Sequence, residues 1–161
     1  CGYLHRAYPD QPIYPTGDAR THARALWWEQ YSGSVFSNVV HPLFFETFVN
    51  PNVNKIPTDK AKVSHVLTNA MPEMFGYLES QIGAQGFLVG VGPMVPDWHL
   101  ASALTTMQYL GFALDGQRFA QLGSLFQRTI RTPAMRQALR DEQPAVQAMG
   151  FKSDFLGDVL A

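Results

Sequence analysis

One acidic residue, Asp97, lies within the most apolar part of the chain. An apolar run over residues 86–90 is followed by a break rich in proline and glycine, and then by a segment that is apolar on nearly every side. At helical spacing Asp97 shares its face with Leu100 and Leu104, which ought to be buried. A buried carboxylate is costly unless it is hydrogen-bonded, and the free N–H groups at a helix start are its natural partners. We therefore predict that Asp97 is a buried cap that holds the start of a central helix.

The composition is typical of one globular domain. Of the 161 residues, 46% are hydrophobic and 16% are charged, which is enough apolar material for a core and too little charge for disorder. The formal net charge of -1 argues against a nucleic-acid surface. The longest apolar stretch is far shorter than the roughly 20 residues that a membrane helix needs. The only cysteine is Cys1, so no internal disulfide can form, which agrees with a reducing cytoplasm.

Apolar residues recur at helical spacing along most of the chain and predict an all-α fold, an irregular multi-helix bundle. Helices are expected over about 18–50, 58–82, 97–110, 117–131 and 134–140. Pro42 should kink or split the first helix, because proline removes a backbone donor, and Asn50 should end it. Thr58 is placed to cap the second helix. The last 20 or so residues are less regular.

The first residues of the chain predict a domain boundary. Residues 1–8 look like the end of a helix that stops before a proline. Residues 9–17 hold three prolines and a glycine, which is typical of a linker. A protein rarely begins at the end of a helix, so we expect a further part of the protein ahead of Cys1.

Several pieces of the sequence resemble the cytosolic glutathione transferase family, and its bacterial members in particular. The apolar run, the loop and the Asp97 helix are similar to the start of the central helix in that family's helical C-terminal domain. Met94 stands where the family has a serine or threonine cap. The other similar pieces follow in the family's order at 13–15, 24–31, 42–51, 77–79 and 131–135. Together they cover nearly the whole chain.

The resemblance implies a domain assignment and a function. Residues 1–8 would be the tail of the last helix of a thioredoxin-like domain, 9–17 the linker, and 18–161 the all-helical C-terminal domain. The thioredoxin-like domain carries the family's glutathione site. The parent protein would be a cytoplasmic, dimeric detoxification enzyme that conjugates glutathione to a small hydrophobic electrophile or reduces a related substrate. This chain would supply the hydrophobic co-substrate wall and dimer contacts, and would be inactive alone.

The resemblance also implies positions that contact ligand. The aromatic-rich helix around Trp28 and Tyr31 could line a pocket or fill the core. Matching it with bacterial members places Ser37 and Asn38 at ligand-contacting positions, and Thr106 where one bacterial class has a pocket tryptophan. The predicted substrate-binding residues are therefore Phe36, Ser37, Asn38, Thr106 and Met107.

The sequence shows no pattern typical of a metal site. No two of the five histidines have the spacing that would put both on one helical face, so we predict no metal site. His99 is expected to be a satisfied histidine on a mostly buried helix. Neither nucleic acid nor membrane is expected as a partner. Two alternatives stay open: a non-catalytic assembly module of the kind that translation factors and synthetases carry, and a helical bundle unrelated to transferases.

Overall fold

Helices make up every regular element of residues 1–160, the part of the chain that this computed structural model describes. The α-helices are α1 Gly2–Ala7, α2 Ala19–Val35, α3 His41–Phe44, α4 Lys60–His65, α5 Met71–Gln81, α6 Val95–Tyr109, α7 Ala120–Ile130, α8 Pro133–Ala148 and α9 Gly157–Leu160. Three π-helical segments are π1 Phe36–Val40, π2 Phe45–Asn54 and π3 Val66–Ala70, and a 3-10 turn Asp154–Leu156 precedes α9. The predicted all-α class is confirmed. Within residues 1–160 no helix has the length and apolar character needed to cross a bilayer.

Pro42 and Pro72 do not break the two long rods, because a π turn directly before each proline lets the backbone hydrogen bonding continue past it. Ahead of Pro42, the N–H of His41 donates to the carbonyl of Phe36, five residues back. The same shift to a wider turn precedes Pro72. A first helical rod therefore runs without interruption from 19 to 54. The predicted split at Pro42 is wrong, since a π turn keeps the rod continuous where an α turn would lose a bond.

The ends of several helices differ from the sequence prediction. The first rod ends at Asn54 rather than Asn50, and Lys55 then takes left-handed backbone with φ of 57°. The helix that follows is capped by Asp59, whose side chain accepts hydrogen bonds from the N–H groups of Ala61 and Lys62. The predicted cap, Thr58, is not used in this way. Its hydroxyl instead donates to a carbonyl of the first rod.

The second rod spans 60–81. After it, the observed bounds of the C-terminal helices also differ from the predicted ones. α7 begins later than predicted, and α8 continues to Ala148, past Pro144. The C-terminal part of the chain is therefore more helical than its sequence pattern indicates.

Glu46 joins the two rods. Its buried carboxylate accepts hydrogen bonds from the N–H of Asp59 at 3.1 Å, the ammonium of Lys62 at 3.2 Å and the amide of Asn50 at 3.1 Å. The Asp59 N–H and the Lys62 ammonium hold the pKa of Glu46 below its usual value. These bonds fix where the second rod begins against the end of the first.

α6 is the centre of the fold. It packs against α2, π1 and α7, and most of its side chains are buried. Trp28 is buried in this core and Tyr31 is half-buried, whereas Trp27 and Phe36 of the same rod are exposed. The largest fully buried side chains are Trp28, Phe75, Phe126, Leu43, Leu78, Leu100, Leu104, Met107, Leu122, Leu125, Ile130 and Leu156.

Asp97 holds the start of α6 from a fully buried position. One carboxylate oxygen accepts the N–H of Met94, the residue that precedes the helix, at 2.9 Å. The other accepts the N–H of Leu88 at 2.9 Å. Burial raises the pKa of Asp97 to about 6, and the two N–H groups act in the opposite direction. The sequence predicts this burial and the bond at the helix start, but not the bond to Leu88, through which Asp97 also fixes the preceding loop.

Glu79 caps α7 from the second rod. Its two carboxylate oxygens accept the N–H groups of Gln121 and Leu122, each at 2.8 Å. These are among the free N–H groups of the first turn of α7, and Phe119 at the N-cap position has no side-chain acceptor for them. Glu79 therefore does from another helix what a local cap residue usually does.

Replacing Glu79 with alanine is expected to lower the free energy of unfolding by about 1–2 kcal/mol, because the helix start loses its acceptors. Glu79→Gln keeps one acceptor oxygen and should cost less. Urea unfolding of both variants measures the two differences. An alanine variant as stable as the parent chain would contradict the capping role.

Candidate functional site

π1 brings three consecutive residues with a predicted ligand role to the surface. Phe36, Ser37 and Asn38 are all exposed, Phe36 by 40%. They lie on the widened turn that the bond from His41 to the Phe36 carbonyl closes. Single π turns inside α-helices occur frequently at functional sites, because they re-aim side chains without ending the helix. The side-chain amide of Asn38 donates to a carbonyl of the preceding turn at 2.8 Å, which fixes its orientation.

The register of α2 on α6 decides what lies opposite π1. The buried hydroxyl of Ser32 donates to the carbonyl of Pro96, at the start of α6, at 3.1 Å. π1, which comes later in the chain than Ser32, also packs on α6. The two helices must therefore run in the same direction. The turn of π1 thus lies beside the middle of α6 rather than its start.

The middle of α6 presents a polar stripe. His99, Ser102 and Thr106 follow one another at helical spacing on one face. His99 and Ser102 are exposed, and Thr106 is half-buried with its hydroxyl donating to the carbonyl of Ser102 at 3.1 Å. As predicted, His99 lies on a mostly buried helix; its ring is exposed at the surface, beside Gly33 of α2.

Met107 lies outside this surface. Its side chain is completely buried, because successive residues of a helix point about 100° apart and Thr106 takes the outward direction. The expectation that Met107 shapes a ligand surface is therefore corrected: in this domain its side chain fills the core. The four other predicted residues stay accessible.

We call the surface formed by Gly33, Phe36, Ser37, His99, Ser102 and Thr106 the π1 face. Its aromatic side continues along the first rod through His41 to Phe45, with ring centroids 6.2 Å and 4.6 Å apart. Its other side is the polar stripe of α6. Phe36, Ser37, His99 and Ser102 are all exposed, so the π1 face is an open wall; cavities of about 240 to 450 Å³ lie elsewhere on the described surface. Such a wall can hold one side of a flat, largely apolar ligand.

Two further clusters lie outside the π1 face, and the sequence indicated only the aromatic-rich helix that contributes to the second. The rings of His5, Tyr14 and His22 lie within 5.4 to 5.8 Å of one another. The Tyr14 hydroxyl donates to Glu29 at 2.6 Å, which fastens the linker to α2. Within residues 1–160, no group of three or more histidine, cysteine or acidic side chains is placed to hold a metal ion.

The second cluster is an aromatic patch formed by Trp27, Tyr31 and Tyr77. Trp27 is 49% exposed and Tyr77 is 40% exposed. Tyr31 stacks on Trp27 with ring centroids 5.5 Å apart and lies 5.2 Å from Tyr77. The patch brings together α2 and α5, which are far apart in sequence, so the aromatic-rich helix predicted around Trp28 and Tyr31 indicates its α2 side but not Tyr77.

Comparison with known proteins identifies the fold. No protein-family model matches the sequence, and no curated protein matches it either. Among solved structures, the chain is similar to a glutathione S-transferase from Rhodospirillum rubrum F11, with 20% identity and a TM-score of 0.72 over 84% of this chain and 60% of that one. It is also similar to FzlA from C. crescentus, with 20% identity and a TM-score of 0.76 over 90% of this chain and 63% of that one.

A glutathione S-transferase from Sinorhizobium meliloti 1021 is similar as well, at 20% identity with a TM-score of 0.73 over 86% of this chain and 63% of that one. The chain thus spans less than two thirds of the length of each of these structures. The resemblance predicted from the sequence is confirmed at the level of the fold: the chain has a glutathione-transferase-like all-helical architecture.

Proposed function

We propose that this chain is the co-substrate-binding helical domain of a glutathione transferase, preceded in the parent protein by a thioredoxin-like domain of which residues 1–8 are the tail. The observation that carries the proposal is the π1 face, an exposed aromatic and polar wall in a glutathione-transferase-like fold. In the proposed reaction, the thiolate of glutathione forms a carbon–sulfur bond with an electrophilic carbon, and the leaving group departs with its electron pair. The chain orients the electrophile, and a cytoplasmic location follows from the use of glutathione.

Different residues contact the electrophile and hold the domain in shape. Phe36 offers a ring on which a flat electrophile can stack, and aromatic pairs add about 0.5–1.5 kcal/mol beyond the area they bury. Ser37 and Thr106 add hydroxyl groups to the same face. Asp97, bound to Leu88 and Met94, holds α6 in place and does not face the ligand.

The proposal is tested by mapping a ligand onto the isotope-labelled chain by NMR. We expect 1,3-dinitrobenzene, an unreactive analogue of an aromatic electrophile, to shift the amide signals of residues 33–38 and 99–106. Phe36→Ala should weaken binding about threefold or more, because the stacking surface is lost. Ile56→Ala is the matched control, since Ile56 is a 53% exposed apolar residue outside the π1 face. Shifts confined to other residues, or equal affinity of the Phe36 and Ile56 variants, would overturn the proposal.

A second candidate function is a non-catalytic assembly module, and the aromatic patch favours it. Large aromatic side chains are enriched at protein interfaces, and Trp27 and Tyr77 are each about half exposed. For an enzyme, the same patch is the candidate for the proposed homodimer contacts. The ligand mapping separates the two functions, because an assembly module has no reason to bind an aromatic electrophile at the π1 face.

A further inference from the structure

Tyr31 and Tyr77 are the two tyrosines of the aromatic patch, and they bring the first rod into contact with the second. Their ring centroids lie 5.2 Å apart, with the ring planes inclined by 55°, which is the separation of a direct aromatic contact. The other ring contacts within residues 1–160 include no second pair of tyrosines. The fold therefore places two phenols from distant parts of the sequence side by side.

The hydroxyl groups of this pair are not used within the chain. The two buried tyrosines, Tyr14 and Tyr109, donate their hydroxyls to glutamates, whereas those of Tyr31 and Tyr77 have no hydrogen-bond partner within residues 1–160. Burial, Tyr77 and the carboxylate of Glu73 raise the pKa of Tyr31. Its phenol therefore keeps its proton at neutral pH, and the hydrogen atom that an oxidant removes from a phenol is present.

Trp27 gives an oxidant access to the half-buried Tyr31. It is 49% exposed and stacks on Tyr31 with ring centroids 5.5 Å apart and ring planes inclined by 21°. A neutral tryptophanyl radical is a stronger oxidant than a tyrosyl radical, so Trp27 can regain a lost hydrogen atom from Tyr31. Tyr77 is itself 40% exposed and can be oxidised directly.

We propose that the aromatic patch is a site of oxidative modification, where oxidants of the peroxyl-radical class join Tyr31 to Tyr77 as dityrosine. Two peroxyl radicals each take one electron and one proton, one pair from each tyrosine, and become hydroperoxides. The two phenoxyl radicals then form a carbon–carbon bond between their ortho carbons. The hydrogen on each of these carbons moves to a phenol oxygen, which restores both aromatic rings. The chain loses two hydrogen atoms in total, and the new bond ties α2 to α5.

The test exposes the 161-residue chain, at a concentration at which it is monomeric, to peroxyl radicals from a water-soluble azo initiator. We expect dityrosine fluorescence in the band of a single chain and a mass lower by two hydrogen atoms. Trypsin should release residues 25–55 joined to residues 63–118, with fragment spectra that place the bond at Tyr77 rather than Tyr109. Unfolding the chain in urea before oxidation should remove this preference, because the fold then no longer holds Tyr31 beside Tyr77.

Tyr77→Phe should abolish the cross-link within the chain, and it keeps the packing of the ring because only an unused hydroxyl is removed. Tyr8→Phe is the matched control, since Tyr8 is a 62% exposed tyrosine outside the patch, and it should leave the yield unchanged. Trp27→Phe keeps a ring against Tyr31 but is not readily oxidised, so the yield should fall. A parent chain that forms no link within itself, or a link that survives Tyr77→Phe, would overturn the modification site. A yield that Trp27→Phe does not change would overturn the role of Trp27.

Discussion

Replacing Asp97 with alanine is expected to lower the free energy of unfolding by about 2 kcal/mol or more. The carboxylate is completely buried and accepts two backbone N–H groups, from Leu88 in the loop and from Met94 at the helix start. Alanine leaves both donors without an acceptor in the interior, where water does not replace it. Because Leu88 and α6 are then held together only by packing, the loop before α6 should also show faster hydrogen exchange. Urea unfolding measures the first effect and NMR exchange the second.

The pH dependence of stability identifies the carboxylate as the responsible group. Burial raises the pKa of Asp97 from 3.8 to about 6 in the folded protein. A raised folded-state pKa means that the stability which this group contributes is complete below the unfolded pKa and is lost as the pH rises through about 6. The parent chain should therefore lose about 2–3 kcal/mol relative to Asp97→Asn between pH 4 and about pH 7. A difference that does not change with pH, or an alanine variant that loses less than about 0.5 kcal/mol, would show that Asp97 is exposed to solvent.

Replacing Met107 with alanine is expected to cost about 2–5 kcal/mol of unfolding free energy, the range for removing a large apolar side chain from a packed core. Met107 has no exposed surface. Its neighbours on α6 and the adjoining helices cannot collapse fully into the space that it leaves, because the core is close-packed. Thermal and urea unfolding measure the loss, and the binding of 1,3-dinitrobenzene by the folded fraction should be little changed.

Thr106→Ala is the matched control for Met107. Thr106 is the preceding residue of α6, is half-buried, and bonds only to the carbonyl of Ser102 on its own helix. Its removal should change stability by no more than about 0.5 kcal/mol. If both substitutions cost the same, Met107 does not belong to the core, and its original assignment to the ligand surface would have to be reconsidered.

The sequence alone predicts the helical class and the central position of α6, because both depend on local patterns. Apolar residues at intervals of three and four define helix faces wherever the chain folds. The single acidic residue of the most apolar helix has to find hydrogen-bond donors, and the helix start supplies one. The bond from Asp97 to Leu88 was not predicted, because it depends on the path of a loop that no periodicity describes.

The effect of Pro42 on the first helix can be predicted only in part from the sequence, and the tertiary structure decides the rest. Pro42 lacks a backbone donor, so the sequence predicts a kink or a split. A π turn satisfies the same constraint without a break, and π1 packs on α6 in this continuous form. The sequence could not decide between these outcomes, because the difference lies in contacts with residues far along the chain.

The candidate site, too, can be predicted only in part from the sequence. The resemblance to glutathione transferases pointed to Phe36, Ser37 and Asn38, and the structure places all three on the surface. Periodicity alone could not tell that Thr106 faces outward and Met107 inward, because α6 is apolar on nearly every side and its orientation is set by its neighbours. Nor could it show that His99 lies over Gly33. Local spacing determined which segments are helical and that Asp97 is buried, whereas the register of one helix on another decided which side chains share a surface.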